Sequence, residues 1–510
     1  MQRRLWLALP VTFAVAVAAC AQVVGLGGYQ KVECLDDCAD VANVEPAVDA
    51  SPEAQPPSDC AGTSTRCGGA CVELSTDVNN CGTCGTACGT ASCCKGACAD
   101  TTTSPTSCGA CGVTCLGTES CAAGACRLLA LGNGADGPLA ITTDTIIDGV
   151  LTGGLAIAAG TRVASVASTV GFAAGDLVLV HQTRGPAAGT YELGTIEKVD
   201  TASTTITMAR AVTHGFTSTG KARAQMVRVP QHTTVFVAPG VTLTAPPWDG
   251  TRGGILVFEA GGAVQVAGAI NMTGRGFQGY NHGPACAGGA RYVCTTADTA
   301  NGFAGESADG PALVSNAPNG GGGGGSQDGQ DCGGGGGGGH GTAGTAGSNG
   351  AGGVCRAAPQ LGGAAGMVAG VDDLSVALLF GGAGGEGSGD EDGAYPGAGG
   401  NGGGIISIRA QTVTVAGGLK ANGSPGASGV QVSAACGGSG CGMGAGGGGA
   451  GGAISIRVTA VSLGANLVSA TGDIGGACTC GGMPGGSGGS GRIAVTGTVS
   501  GTTTPAYVGK

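Results

Sequence analysis

From about residue 130 onward, apolar residues fall at alternate positions in runs too short to be helices. Thr145-Ile146-Ile147, Leu177-Val178-Leu179-Val180, Thr205-Ile206-Thr207-Met208 and Val235-Phe236-Val237 are rich in Val, Ile and Thr and are punctuated by glycine, the pattern of half-buried strands. No segment sustains a 3.6-residue apolar period, so little helix is expected. Residues 175–230 read as several antiparallel strands of a small barrel-like insert.

A longer repeat sets the architecture. Gly254-Ile255-Leu256-Val257-Phe258-Glu259, followed by Val264, Val266, Ile270 and Met272, returns as Gly404-Ile405-Ile406-Ser407-Ile408-Arg409 with Val413, Val415 and Leu419. It returns again as Gly452-Ala453-Ile454-Ser455-Ile456-Arg457 with Val461, Leu463 and Leu467, and a partial copy opens at Arg492-Ile493-Ala494-Val495. A unit of about 20 residues holding three short alternating strands is the size of one β-solenoid coil. Small residues permit the corners, and inward apolar residues stack into a narrow column. A β-sandwich is the alternative, but it needs hairpin turns of two to five residues, and far longer stretches separate these units. The expected fold is therefore all-β: a β-solenoid with long glycine-rich insertions, preceded by a small disulfide-rich module and a disordered tether. A β-rich domain with the insert and first coil spans 127–274, a glycine-rich insertion 275–403, and coils with shorter insertions 404–510.

The insertions at 275–403, 424–451 and 473–490 follow the same position of each unit. Gly341, Gly344, Gly347, Gly350 and Gly353 recur every third residue, and Gly381, Gly384, Gly387, Gly393, Gly399 and Gly402 keep the same period. That is the repeat of a polyproline-II-type helix, with glycine on the edge where backbones approach. Scarce proline argues against collagen. A flexible linker is the competing reading, because so much glycine produces period-three matches by composition.

The N-terminus adds a location. Arg3 and Arg4 precede an apolar run from Leu5 to Val17 and then small residues, as in a secretory signal. Val17-Ala18-Ala19-Cys20 resembles the lipobox of bacterial lipoproteins, which implies lipidation at Cys20 and a membrane partner through that anchor; cleavage after Ala18 or Ala21 is the alternative. Ala21 in place of Asp resembles the pattern sent to an outer membrane. Residues 21–59 are acidic, with Lys31 the one basic residue and four prolines near the end, and read as a tether that cannot offset its ordering entropy. A net charge of −11 argues against nucleic acid as a partner.

Of 25 cysteines, Cys20 belongs to the lipobox, leaving 16 between Cys34 and Cys126 and 8 between Cys286 and Cys480. Even counts suit a disulfide framework in an oxidising compartment. Cys71, Cys81, Cys84, Cys88, Cys94 and Cys98 form one copy of a 27-residue repeat. Cys98, Cys108, Cys111, Cys115, Cys121 and Cys126 form the next, with Cys60, Cys67 and Cys93 out of register. These fourteen, together with Cys286, Cys294, Cys332, Cys355, Cys436, Cys441, Cys478 and Cys480, are the disulfide candidates. The Cys-x2-Cys pairs 81/84 and 108/111 also have zinc-ligand spacing, although an exported module holds its cysteines where thiols oxidise. The string CGGACVELSTDVNNCGTCGTACG resembles the stigma-specific-protein-like modules, which also occur in secreted proteins of myxobacteria. The second copy lacks the acidic-Asn stretch. The resemblance implies a small disulfide module at 60–126 and no reaction. Residues 170–500 resemble secreted glycine-rich bacterial surface proteins and, more distantly, the glycine-rich region of anaplastic lymphoma kinase-type receptors, which implies a structural, adhesive or recognition role.

Chemical motifs are sparse. Gly215-x4-Gly220-Lys221 approaches a P-loop but has Ala222 where Mg²⁺ needs a hydroxyl. Gly485-x-Ser487-x-Gly489 matches a nucleophile elbow in letters only. His181, His214, His232, His282 and His340 form no His-x3-His pair, and Glu386, Asp390, Glu391 and Asp392 fit no calcium-loop spacing. The enzymatic rival is a polysaccharide lyase or glycosidase using Asp372 and Asp373, or Asp390 and Asp392, as its carboxylates. Against it, both pairs lie in a glycine-rich insertion, and no strand-borne Asp, Lys and Arg pattern is expected to repeat across the coils. The sequence thus points to a non-catalytic surface lipoprotein without cofactor, with polysaccharide or other envelope material as its partner.

Overall fold

The computed structural model describes residues 60, 62–104, 106–113, 119–128, 131–147, 149–279, 302–310, 319–324, 326–327, 330–331, 333–349, 361–388, 396–429, 444–477 and 483–509. The signal segment with Cys20, the tether, Cys115, all eight cysteines from Cys286 to Cys480, His282 and the acids Asp390, Glu391 and Asp392 lie outside the described residues. Residues 1–71 and 72–510 form two compact units. In the first, a disulfide joins Cys60 to Cys71. Among the described residues every regular element is a strand.

The second unit is built on a near-closed parallel sheet, the cross-section of a β-solenoid. Six coils stack: Leu139–Ile141 with Thr145–Ile146; Val235–Val237 with Thr242–Thr244; Ile255–Val266 with Ala269–Asn271; Ile405–Val415 with Gly418–Lys420; Ala453–Ser469; and Arg492–Thr504. Equivalent residues of the sequence repeat pair in parallel register. Phe258 lies beside Ile408, Ile408 beside Ile456, and Ile456 beside Val495; Val264, Val413, Val461 and Val499 form a second line.

Alternation within each strand sends one set of side chains inward and the other outward. The inward set, Leu256, Phe258, Val264, Ile406, Ile408, Ile454, Ile456 and Ile493 among them, forms one continuous aliphatic column. The outward set, Ile255, Val257, Ile405 and Ala453, packs instead into a second core with Leu177, Leu179, Trp248, Phe277 and Phe380. Trp248, Phe277 and Phe380 meet there edge to face, with centroids 5.2–6.5 Å apart. Both faces of the sheet are therefore buried over its first rows, as hydrophobic runs without polar breaks require.

The insert between the first and second coils is an antiparallel six-stranded sheet in the order Val163–Ser165, Thr205–Met208, Tyr191–Asp200, Leu177–Arg184, Arg223–Arg228, Leu151–Thr152. It begins nearer residue 151 than the expected 175. Val178 and Val180 point into its own core with Ile196, Ile206 and Met226, while Leu177 and Leu179 point to the solenoid. One period-two strand thus joins two cores. Arg184 pairs with Glu306, whose other oxygen accepts from Trp248 Nε1 and Gln278 N at 3.0 Å each, fixing a glycine-rich segment against insert and solenoid.

The glycine-rich segments that are described are ordered, not flexible linkers. Along 381–388, Gly381, Gly384 and Gly387 donate to Gly403, Gly400 and Gly397. Gly382, Gly385 and Ser388 donate to Gly339, Gly336 and Gly333, and Ala383 and Glu386 to Glu306 and Phe303. Along 444–452, every third amide likewise reaches the same neighbour: Gly444, Gly447 and Ala450 bond to 382–388, Ala445, Gly448 and Gly451 to 483–489, and Gly446, Gly449 and Gly452 to 421–427. Three donation directions repeating every three residues are those of a polyproline-II-type helix. The segments form a lattice in which these buried N–H groups find carbonyls on adjacent segments.

Candidate functional site

Two places concentrate chemistry: the cysteine module and the outer face of the solenoid strands. In the module, Cys81 bonds to Cys93, Cys88 to Cys98, Cys94 to Cys111 and Cys108 to Cys121. Cys67 and Cys84 are also disulfide-bonded. Both Cys-x2-Cys pairs, 81/84 and 108/111, are thus held as disulfides, which leaves no thiolates for a tetrahedral zinc site.

The repeat register needs one correction. Cys93, expected out of register, occupies the place that Cys121 holds in the next copy, since each bonds to the first cysteine of a Cys-Gly-x-Cys. Cys94 is the link to the following repeat. The cause is alternation in the hairpin strand Ser92–Cys94, paired with Ala97–Ala99: neighbouring residues face opposite sides, so Cys93 is buried while Cys94 reaches outward to Cys111. The two copies match in detail. Gly82 and Gly109 donate to Leu74 and Thr101, and a Cβ on either would lie 2.3 or 2.4 Å from the carbonyl oxygen of Gly96 or Gly124. The missing Asn is replaced: Gly85 N bonds Asn80 Oδ1, and Gly112 N bonds Ser107 Oγ in the same role. Cys126 lies in the strand Ala125–Leu128, in register with Cys121.

On the outer solenoid face, Glu259, Arg409 and Arg457 occupy one register position of three successive coils. A charged residue therefore stands at this position in three successive coils, although no Asp or Lys joins the two arginines there. Glu259 is 2% exposed, pairs with Arg409 and accepts from Gly132 N at 3.1 Å; burial pushes its carboxyl above the ordinary range, against the pull of Arg409. Arg457 Nη2 donates to Tyr191 Oη at 2.8 Å, and that hydroxyl donates to the Leu374 carbonyl at 3.0 Å. Burial raises the Tyr191 phenol, while Arg457 and Arg409 pull it down. With Ser407 and Leu193 these groups line a narrow notch between solenoid and insert, with space for about one water-sized group.

The carboxylates proposed for hydrolysis are engaged elsewhere. Asp372 Oδ1 accepts from Arg492 Nε at 2.8 Å, and Asp373 Oδ1 accepts from Ser375 N at 2.8 Å and from its hydroxyl. Arg492 also donates to the carbonyls of His340 and Ala369, which pins the intervening loop. Glu386 is fully buried in the glycine lattice, where it accepts from Phe303 N. His181 and His340 are fully buried, each with a ring nitrogen 2.8 Å from a carbonyl, Leu378 and Gly451 respectively. Burial pushes both down to about 4, so they stand neutral. His214 is exposed beside Glu192, and His232 faces the Gly137 carbonyl. Ser487, in the nucleophile-elbow string, donates its amide to Thr345 Oγ1 within the lattice.

Fold and sites together define an all-β protein: a parallel-coil solenoid braced by a glycine-helix lattice and carrying a disulfide module. Residues 54–129 match the Stigma-specific STIG1-like protein family, so the chain carries a STIG1-like cysteine-rich domain. No curated protein and no solved structure matches the chain.

Proposed function

We propose that this chain is an exported bacterial cell-envelope protein, anchored by lipid at Cys20, with a structural, adhesive or recognition role at the surface and no catalysis. The observation that carries the reading is how the buried ionisable groups are used. Arg184 with Glu306, Glu259 with Arg409, and the neutral His181 and His340 all tie backbone segments together. A catalytic constellation instead needs groups converging on space for a substrate. The disulfides of the STIG1-like domain support an oxidising location.

Two measurements test it. Cys20→Ser is expected to move the protein from membrane to soluble fractions; unchanged membrane association, or a mature N-terminus downstream of Ala21, rejects the anchor. Incubation of the full chain with a panel of bacterial and plant polysaccharides, following binding and product release, is expected to give binding without turnover. Turnover that disappears on substitution of Asp372 or Asp373 would establish the glycosidase or lyase reading instead.

A further inference from the structure

We propose that the solenoid stacks head to tail with further copies of this chain, the last coil of one receiving the first coil of the next, so that the coils continue through a linear assembly. This goes beyond the surface role above and depends on neither the lipid anchor nor a polysaccharide.

The two ends fit each other because each coil has three strand positions and the chain enters partway round. The second position runs through all six coils, from Leu139–Ile141 to Val499 and Ser500, and the third runs from Thr145–Ile146 to Thr503 and Thr504. The first position is displaced by one coil. Among the described residues it holds no regular strand in the first coil, begins with Gln231–His232 beside Glu259 and Ala260, and gains Val508–Gly509 beside Ala494 and Val495 after the last coil. In a stack at solenoid spacing, Val508–Gly509 of one chain therefore falls at the level where the next chain lacks its first strand. The register aligns Val508 and Gly509 with Val257 and Phe258, ahead of Gln231. They thus clear the Asp136 amide, which bonds Gln231 O at 3.0 Å.

A cavity of about 110 Å³ marks the vacant level. It is lined by Leu139, Ile141, Ile147 and Leu243 at the end of the aliphatic column and by Pro230 and His232 of the first position, with the ion-paired Asp136 and Arg228 at its border. At the opposite end of the same column, Val499 and Tyr507 are only partly buried. Stacking sets Val499 against Leu139, which extends the line of Val264, Val413 and Val461, and gives the Tyr507 ring a cavity with room for one side chain.

Both edges are left unguarded. Exposed strand edges are ordinarily blunted by charge, proline or a covering element. From Ile493 to Gly509 no residue is charged, and Thr496, Thr498, Ser500, Thr502 and Thr504 are exposed. From Leu139 to Ile147 the one charge is Asp144, whose Oδ1 already accepts from Thr242 N at 2.8 Å. An edge that turns corners on three sides matches a partner with the same corners and strand direction, and a second copy supplies both. Such a contact is heterologous and does not close on itself, so copies keep adding.

The test is sedimentation velocity on the full chain carrying Cys20→Ser, so that no acyl group contributes to association. Weight-average mass is expected to rise with concentration past two chains without a plateau. Register supplies a second arm. Ala140 is in line with Phe236, Gln265, Thr414, Ser462 and Ser500, so in the stack it lies beside Ser500 of the neighbouring copy, although the two stand at opposite ends of one chain. Both are exposed, so substitution leaves the fold intact, as circular dichroism would check. Ala140→Lys with Ser500→Lys sets like charges across each joint; Ala140→Lys with Ser500→Glu sets opposite ones. The second chain is expected to associate about five-fold or more tightly than the first in low salt, and the difference to fade in high salt. A wild-type chain that stays single at every concentration overturns the proposal. A plateau at two chains, the mark of a closed two-fold contact, overturns it as well. Equal association of the two charge variants places the contact elsewhere on the molecule and has the same consequence.

Discussion

At the residue scale the glycines explain most of the chain's composition. In 333–339, 381–388 and 444–452 every described residue is buried, and most are glycine; in 342–349, on the outside, glycine is needed only at Gly344 and Gly347, and Thr342, Ala343, Thr345 and Ala346 are exposed. The number of glycines per turn of three follows the number of neighbours a segment has. These residues do not use the left-handed region, since none of those in 333–339, 381–388 or 444–452 has positive φ. What they lack is a Cβ: on Gly385 it would sit 2.0 Å from the Gly322 oxygen, and on Gly447 2.0 Å from that of Gly336. Gly385→Ala is therefore expected to cost about 3 kcal/mol or more in chemical denaturation, because backbone cannot give way as a side chain can. Ala346→Ser, on the exposed side, is expected to stay within about 0.5 kcal/mol.

Two other residues tie stability to pH. His181 and His340 titrate near 6.5 when unfolded and at about 4 when folded, so between those values the unfolded chain binds more protons. Their contribution is complete above pH 6.5 and is lost as pH falls toward 4, by up to about 3 kcal/mol each. Glu259, raised by burial, acts in the opposite sense around its own range. Denaturant midpoints measured from pH 7 to 4 should fall through that window in wild type and less so in His181→Gln, whose amide can retain a bond to the Leu378 carbonyl. A flat profile contradicts the buried neutral assignment.

At the element scale, the strands were legible because period-two alternation survives without tertiary context. The cysteine register was misread for the same reason: spacing placed Cys94 opposite Cys121, and only the hairpin shows that adjacent Cys93 and Cys94 must diverge. The insert was recognised from Leu177-Val178-Leu179-Val180, while its edge strand Leu151–Thr152, two residues long, leaves no pattern to read. The notch leaves no signal in the sequence because Glu259, Arg409 and Arg457 differ in sign, although all three end the same six-residue string of the repeat and pair in register. The module holds few large apolar side chains and depends on its cross-links. Reductant should therefore abolish resistance to proteolysis within 72–128 while leaving 404–470 resistant, since the coils are held by ladder bonds and the aliphatic column. Simultaneous cleavage of both would show that reducible bonds also hold the coils.

At the scale of the whole molecule, the second unit is two quasi-crystalline devices in one chain. Coils that repeat at about 20 residues stack on a shared column, and the segments leaving the third, fourth and fifth coils build a lattice beside them, so each of these additions to the solenoid also adds to the lattice. The coil repeat could be read directly because equivalent residues pair in register. The lattice could be read only as a choice between ordered helices and flexible linkers: the partner of Gly336 is Gly322 on one side and Gly385 on the other, and no local signal announces that. Its order is the central claim. Amide hydrogen exchange on the intact protein tests it most directly. Protection at Gly335–Gly338, Gly382–Gly385 and Gly446–Gly449 comparable to that of Ile405–Val415 is the expected result, since these amides are buried and bonded. Exchange of those glycine amides at the rate of an unstructured chain, with the coils still protected, would contradict it.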